Sequence, residues 1–277
     1  MKKSIILLSI VSCFCSLFMV SCGTAGKTGP NASVKPAPQS YSPPELQTKK
    51  WNHYLYTGTT SLIAEKKYDE ALTRLVWFWD HILEHQPAMY GVRLSFCLGI
   101  WKDLGEAYPP ALLKLKQIRD NAEEKAAHGD TNAFAEASSI NETLGESKRM
   151  IAFFKKLDQT QPQLAKKMWF SIDRTLIENG EYALVLKYGP GPEEKWSKLQ
   201  ETIKKELSPE FARKVLSHSP AKKTISPADI KQFQKRMVGY FKSMQVEPLI
   251  KLCNACGKKA LATEIETTFR KLSKVAE

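Results

Sequence analysis

Several things are scarce in this chain of 277 residues, and each scarcity excludes something. Alternating apolar–polar stretches closed by Asn-Gly or Asp-Gly turns are missing, which argues against a body built of β-hairpins. No phosphate-cradling glycine loop, dinucleotide fingerprint or Ser/His/Asp arrangement is recognisable, so local sequence offers no foothold for nucleotide chemistry or serine hydrolysis. Acidic residues are few: 29 Asp and Glu stand against 41 Lys and Arg, a formal charge of +12. Between Gly23 and Lys50 large aliphatic side chains are almost absent, and nothing there can offset the entropy of ordering.

What is present begins with the N-terminus. Lys2 and Lys3 precede an apolar run from Ile5 to Val20, followed by Ser21 and Cys22. A cationic start, an apolar stretch and small residues before a cut make a secretory signal. With Val20-Ser21-Cys22 at its end, the segment resembles bacterial lipoprotein signals. That resemblance implies cleavage after residue 21, acylation of Cys22 and a membrane-anchored mature chain at the cell envelope. Met19 departs mildly from the usual aliphatic. Ile10-Val11-Ser12-Cys13 fits the tripeptide too, but leaves only about seven apolar residues and keeps the greasy stretch Phe14 to Val20 on the mature end. A retained anchor, which needs roughly 20 apolar residues, and simple secretion are the other readings.

Residues 22–50 then read as a tether. Pro30, Pro36, Pro38, Pro43 and Pro44 alternate with Gly, Ser and Thr. At about 5–6 Å × √n such a segment averages roughly 30 Å end to end. Gly23, directly after the cysteine, is not the aspartate that marks inner-membrane retention in some lipoproteins. The resemblance therefore permits the periplasmic face of an outer membrane in a Gram-negative source, and otherwise the outer face of the cytoplasmic membrane.

The body, from Trp51 onward, is dominated by helical periodicity. Tyr68, Ala71, Leu72, Leu75, Trp79 and Ile82 recur at three- and four-residue steps, as do Phe233, Met237, Tyr240 and Met244. Ser208-Pro209-Glu210 and Ser226-Pro227-Ala228-Asp229 place a hydroxyl at the N-cap, proline at the first helical position and an acid in the first turn. Thr160-Gln161-Pro162 is a looser version. Short polar turns recur at Lys66-Lys67-Tyr68, Leu104-Gly105-Glu106, Leu144-Gly145-Glu146, Asn179-Gly180-Glu181 and Cys256-Gly257-Lys258. One helix pair per roughly 35–40 residues suits a helix–turn–helix array.

On these residues the chain resembles tetratricopeptide-repeat proteins. Lys67-Tyr68-Asp69-Glu70-Ala71-Leu72 looks like the start of such a repeat's second helix. After Gly145, Phe154 and Pro162 take the positions of the repeat's phenylalanine and closing proline. Met150 stands where its alanine belongs. Trp169, Ile172 and Leu176 match large first-helix positions, with Asp173 replacing the expected glycine. Tyr182 follows Gly180 at the right distance, and Val185 replaces the small alanine. The resemblance implies an all-α superhelix of helical hairpins that presents a surface to proteins and seldom catalyses anything. Expected boundaries are 1–21 for the signal, 22–50 for the tether, 51–189 for the repeats and 190–277 for a C-terminal helical part, with the joint at Tyr188-Gly189-Pro190-Gly191-Pro192.

Three constellations bear on chemistry. His81-Ile82-Leu83-Glu84-His85 spells the inverted zincin motif, in which two histidines one helical turn apart hold zinc and the acid activates water. The bland alternative is a pair of histidines near a helix C-terminus, where their charge is welcome. Cys253-Asn254-Ala255-Cys256 has the spacing of a redox pair, but at the end of a helix, the wrong place for activating a thiolate; small buried helix residues or a local disulfide are its other readings. Cys97 reads as core. The aromatic block of Trp77, Phe78, Trp79, Tyr90 and Trp101 is expected to pack the core or to line a partner surface, since aromatics dominate binding hot spots. The lysines come as scattered doublets that coat solvent faces, with attraction to anionic lipid or cell-wall polymer as the functional alternative. The expected function is an envelope scaffold with a protein partner, no cofactor and no nucleic acid. Competing classes are a zinc hydrolase using His81, Glu84 and His85, and a cell-wall-binding structural protein.

Overall fold

A computed structural model describes Pro43, Trp51, residues 53–217 and residues 224–276. Cys22, the signal and all of the tether except Pro43 lie outside the described residues. Every regular element among the described residues is helical, so the all-α expectation holds. None of these helices is long and apolar enough to cross a membrane. The chain packs as two compact units, one ending at Glu146 and one beginning at Ser147.

In the first unit, helix α1 opens as a wide π-helical turn, His53–Gly58, and runs on as Thr59–Ala64. Helix α2 is Tyr68–His85. Helix α3 starts with the single turn Tyr90–Val92, widens into a π-turn at Arg93–Cys97 and continues as Leu98–Ala107. Backbone angles stay helical across both junctions, −64°, −41° at Val92 and −65°, −37° at Leu98. Helices α4, Pro109–Ala127, and α5, Thr131–Thr143, complete the unit. Proline at the first helical position sets the start of α4, and Asp130 caps α5 by accepting from the backbone N–H of Asn132 (2.9 Å) and Ala133 (3.0 Å). Helix α2 packs against α1 and α3, and α3 against α4 and α5.

One buried cation fastens three of these helices. Arg93, in the π-turn of α3, donates from Nε to the carbonyl of Trp79 on α2 at 2.8 Å. Its Nη1 donates to Glu136 of α5 at 2.6 Å. The guanidinium also lies 4.1 Å from the centre of the Trp79 ring. A charge this far from water is tolerable only when so fully paired.

The second unit contains α6, Ser147–Thr160; α7, Pro162–Met168, continued by a 3₁₀ turn Trp169–Ser171; α8, Asp173–Glu178; and α9, Tyr182–Tyr188. Then come α10, Pro192–Glu206, and α11, Pro209–Ser217. Helix α12 runs from Pro227–Phe241 through a π-turn, Lys242–Val246, into Glu247–Ala255 without leaving helical angles. Helix α13 is Lys259–Ser273. The second half of α12 packs on α8, α10 and α13. The Ser226 cap forms as its sequence predicts: Ser226 Oγ accepts from the Asp229 N–H at 3.2 Å, and Asp229 Oδ2 accepts from the Ser226 N–H at 3.0 Å. Ser208 Oγ likewise accepts from the N–H of Phe211 at 3.1 Å.

The turns explain how helices follow one another so closely. At Lys66, Gly129, Gly145, Gly180 and Gly257 the backbone enters the left-handed region. In each case the next residue's N–H reaches back to a carbonyl five residues earlier, as in Glu146 to Asn141 (2.7 Å), Glu181 to Leu176 (2.8 Å) and Lys258 to Cys253 (2.8 Å). This is the Schellman closure, and it needs a residue free to adopt positive φ. Four of the five turns expected from sequence are of this kind. The turn expected at Leu104-Gly105-Glu106 is not there: Gly105 is buried inside α3, pressed under the Leu112 side chain, and the chain reverses instead at Tyr108, before Pro109.

Candidate functional site

The sequence directs attention to α2, and the burial of that helix decides what its aromatics do. Successive side chains leave a helix about 100° apart, so Trp77, Phe78 and Trp79 need neighbours on several sides. Those neighbours exist, because α1 and α3 both pack on α2. Trp77 stacks on Trp51 at 5.7 Å, Phe78 on Tyr54 at 6.2 Å, and Trp79 meets Trp101 edge-on at 6.3 Å. Trp101 donates from Nε1 to the Ala111 carbonyl at 2.8 Å. All four belong to the core of the unit, Phe78 and Trp101 being fully enclosed. Of the two uses expected for this block, four of its five residues take the core one: Trp79 and Trp101 spend their area on each other, Trp77 on Trp51 and Phe78 on Tyr54, which leaves them buried rather than on a partner surface. Tyr90, at the start of α3, is half-buried, and burial pushes its hydroxyl up to about 12.

What faces solvent at the end of α2 is the histidine motif. His85 is exposed and His81 half-exposed, and both rings lean on Trp77, at 5.7 Å stacked and 5.6 Å tilted. His85 also lies 5.7 Å from Trp51. Glu84 is exposed, its Oε1 3.3 Å from His81 Nδ1. The two imidazoles thus sit around one indole, and the acid bridges to its neighbour three residues back. Among the described residues no three His, Cys, Asp or Glu side chains come together to hold a metal ion. The arrangement is an exposed rim of imidazole and carboxylate over an aromatic floor.

The three cysteines among the described residues, Cys97, Cys253 and Cys256, are thiols. Cys97 is fully enclosed in the π-turn of α3, and burial pushes its thiol up to about 12. Cys253 is buried in the last turn of α12 and pushed up to about 11, again mainly by burial, while Cys256 is half-exposed at the helix end. A thiol held in that range carries almost no thiolate at neutral pH.

Two groups escaped the sequence reading. Arg93 sits in Val92-Arg93-Leu94-Ser95-Phe96-Cys97, and a lone cation inside an apolar run is a usable signal for a buried pin. Glu206, the last residue of α10, is 1% exposed. It follows Lys204-Lys205, and nothing in that context marks it as interior. Its Oε2 has no hydrogen-bond partner among the described residues, and burial pushes its carboxyl up to about 7.

No family model, curated protein or solved structure matches this chain.

Proposed function

We propose that this chain is a membrane-anchored lipoprotein of the cell envelope whose helical body serves as a protein-interaction scaffold. In this reading Cys22 carries the lipid, residues 22–50 are the tether, and the body is a degenerate tetratricopeptide-like array. One observation carries it: helix after helix ends in the same left-handed closure and restarts at once, the local grammar of helix–turn–helix repeats. Further support comes from Lys67-Tyr68-Asp69-Glu70-Ala71-Leu72, where Ala71 is fully buried and Tyr68 stacks on Tyr108 at 5.7 Å. The His81, Glu84 and His85 rim is then a surface feature rather than a catalytic one.

In-cell crosslinking followed by mass spectrometry tests the scaffold reading, and labelled palmitate tests the anchor. The expected results are a reproducible protein partner crosslinked through the body, and label that disappears in Cys22→Ala. One tightly bound zinc per purified chain, lost in His81→Ala, would overturn the scaffold reading in favour of a hydrolase.

A further inference from the structure

The surplus positive charge is not spread along the chain. Residues of the second unit, from Ser147 to Glu277, include 26 Lys and Arg against 14 Asp and Glu, whereas those up to Glu146 include 15 of each. The whole of the +12 therefore resides in the second unit. Its cations are 21 Lys and only 5 Arg. Lysine is a compact point charge suited to a diffuse anionic field, while the arginine fork suits bidentate readout of nucleic acid.

Helix α12 concentrates this surplus on one line. Lys231, Lys235 and Lys242 are all exposed. At 100° per residue they fall within about 40° of one another, along about 16 Å of helix axis. Between Ile230 and Val246 the helix contains no acid at all. Asp229 is taken up by the Ser226 cap, and the next carboxylate is Glu247. Among the described residues neither Lys235 nor Lys242 enters an ion pair. Lys235 and Lys242, aligned this way with no carboxylate between them, repel one another. An external negative surface turns that repulsion into a favourable contact.

We propose that the Lys231–Lys235–Lys242 face of α12 docks on the anionic headgroups of the bilayer to which the chain is tethered. This inference rests on the lipoprotein reading for the choice of a membrane. The sequence-estimated tether of roughly 30 Å is short enough to hold the body near the bilayer and long enough to let it turn. Tethering makes the second contact intramolecular, so a modest surface affinity suffices. Each lysine close to an anionic membrane strengthens binding about fivefold, an effect that fades beyond a Debye length of about 8–10 Å.

The test uses the full chain, made without its lipid in cell-free synthesis, and sedimentation with vesicles. Vesicles of phosphatidylcholine alone are compared with vesicles containing phosphatidylglycerol, at low and high salt. The N-terminus, with Lys2 and Lys3 before its apolar run, is common to the wild type and every variant, so its contribution cancels when they are compared on the same vesicles. The expected result is a salt-sensitive preference for the anionic vesicles. Lys235→Gln/Lys242→Gln should weaken that preference about thirtyfold, and Lys102→Gln/Lys125→Gln in the first unit should change it less than twofold. Equal binding to both vesicle types, an unaffected α12 variant, or tighter binding to a short DNA duplex at the same salt would each overturn the proposal. Failure of the lipoprotein reading is seen separately, as an unacylated intact mass for chain extracted from cell envelopes, and leaves the vesicle result interpretable.

Discussion

Replacing Glu206 by glutamine should make the protein more stable at pH 8 and leave it nearly unchanged at pH 5. Enclosure raises the Glu206 carboxyl from its ordinary 4.5 to about 7, against a weaker pull from Lys205. At 1.36 kcal/mol per pKa unit this corresponds to about 3 kcal/mol, with little discount for solvent because the side chain is 1% exposed. The sign follows from proton counting. Between pH 4.5 and 7 the folded chain keeps the proton on Glu206 and the unfolded chain has released it. The unfolded state then binds fewer protons, so stability falls as pH rises through that window and levels off above it. Glutamine has the same shape and never ionises, so Glu206→Gln removes the fall. Urea unfolding of both proteins at pH 5, 6, 7 and 8 measures it directly. Other carboxylates, such as Asp158 and Glu193, whose pKa values are lowered by their lysine partners, are common to both proteins and cancel in the difference. A stability difference that does not change with pH would refute the reasoning, because it would mean that Glu206 finds solvent or a cation.

Three further outcomes are expected. Lys66 is the one non-glycine in the described chain with positive φ, at 61°, so Lys66→Gly should stabilise by about 1 kcal/mol in chemical unfolding, and destabilisation would count against the closure described above. Gly189→Ala would place a Cβ 2.6 Å from Trp169 Cζ3 and 3.0 Å from the Val185 carbonyl; a loss of about 1–3 kcal/mol is expected, visible as a lowered melting temperature. Native labelling with an uncharged maleimide, mapped by peptide mass, should modify Cys256 first of the three described cysteines and reach Cys97 only after unfolding, since Cys97 is wholly enclosed.

The sequence exposed those parts of the fold that are encoded over a few neighbouring residues. The Ser208 and Ser226 caps and the turns at Lys66, Gly145, Gly180 and Gly257 are local chemistry, and all were legible. Gly105 misled because a glycine also serves where two helices press together, as Leu112 on Gly105 shows, and sequence does not separate that use from a turn. Gly129 was overlooked for the converse reason: no apolar rhythm around His128 announced the end of α4. The role of Trp77, Phe78, Trp79 and Trp101 depended on how many helices surround α2, a tertiary fact beyond the reach of periodicity. The same holds for Arg93 and Glu206, whose partners, or lack of them, lie far away in sequence or in no pattern at all. At the histidine motif the spacing was readable, but the orientation of both rings toward Trp77 was set by burial of that indole.

The π-turn at Lys242–Val246 leaves α12 with one residue more than a regular helix needs over that stretch. That surplus is a reserve of length. Deleting a single residue there, such as Gln245, lets the ladder tighten to its ordinary spacing while the portions before and after keep their mutual orientation. The identical deletion a turn or two away, in regular helix, would swing everything downstream by about 100° and pull Leu249 and Leu252 off the interior they fill. The long helix can therefore absorb a lost codon at one place along its length.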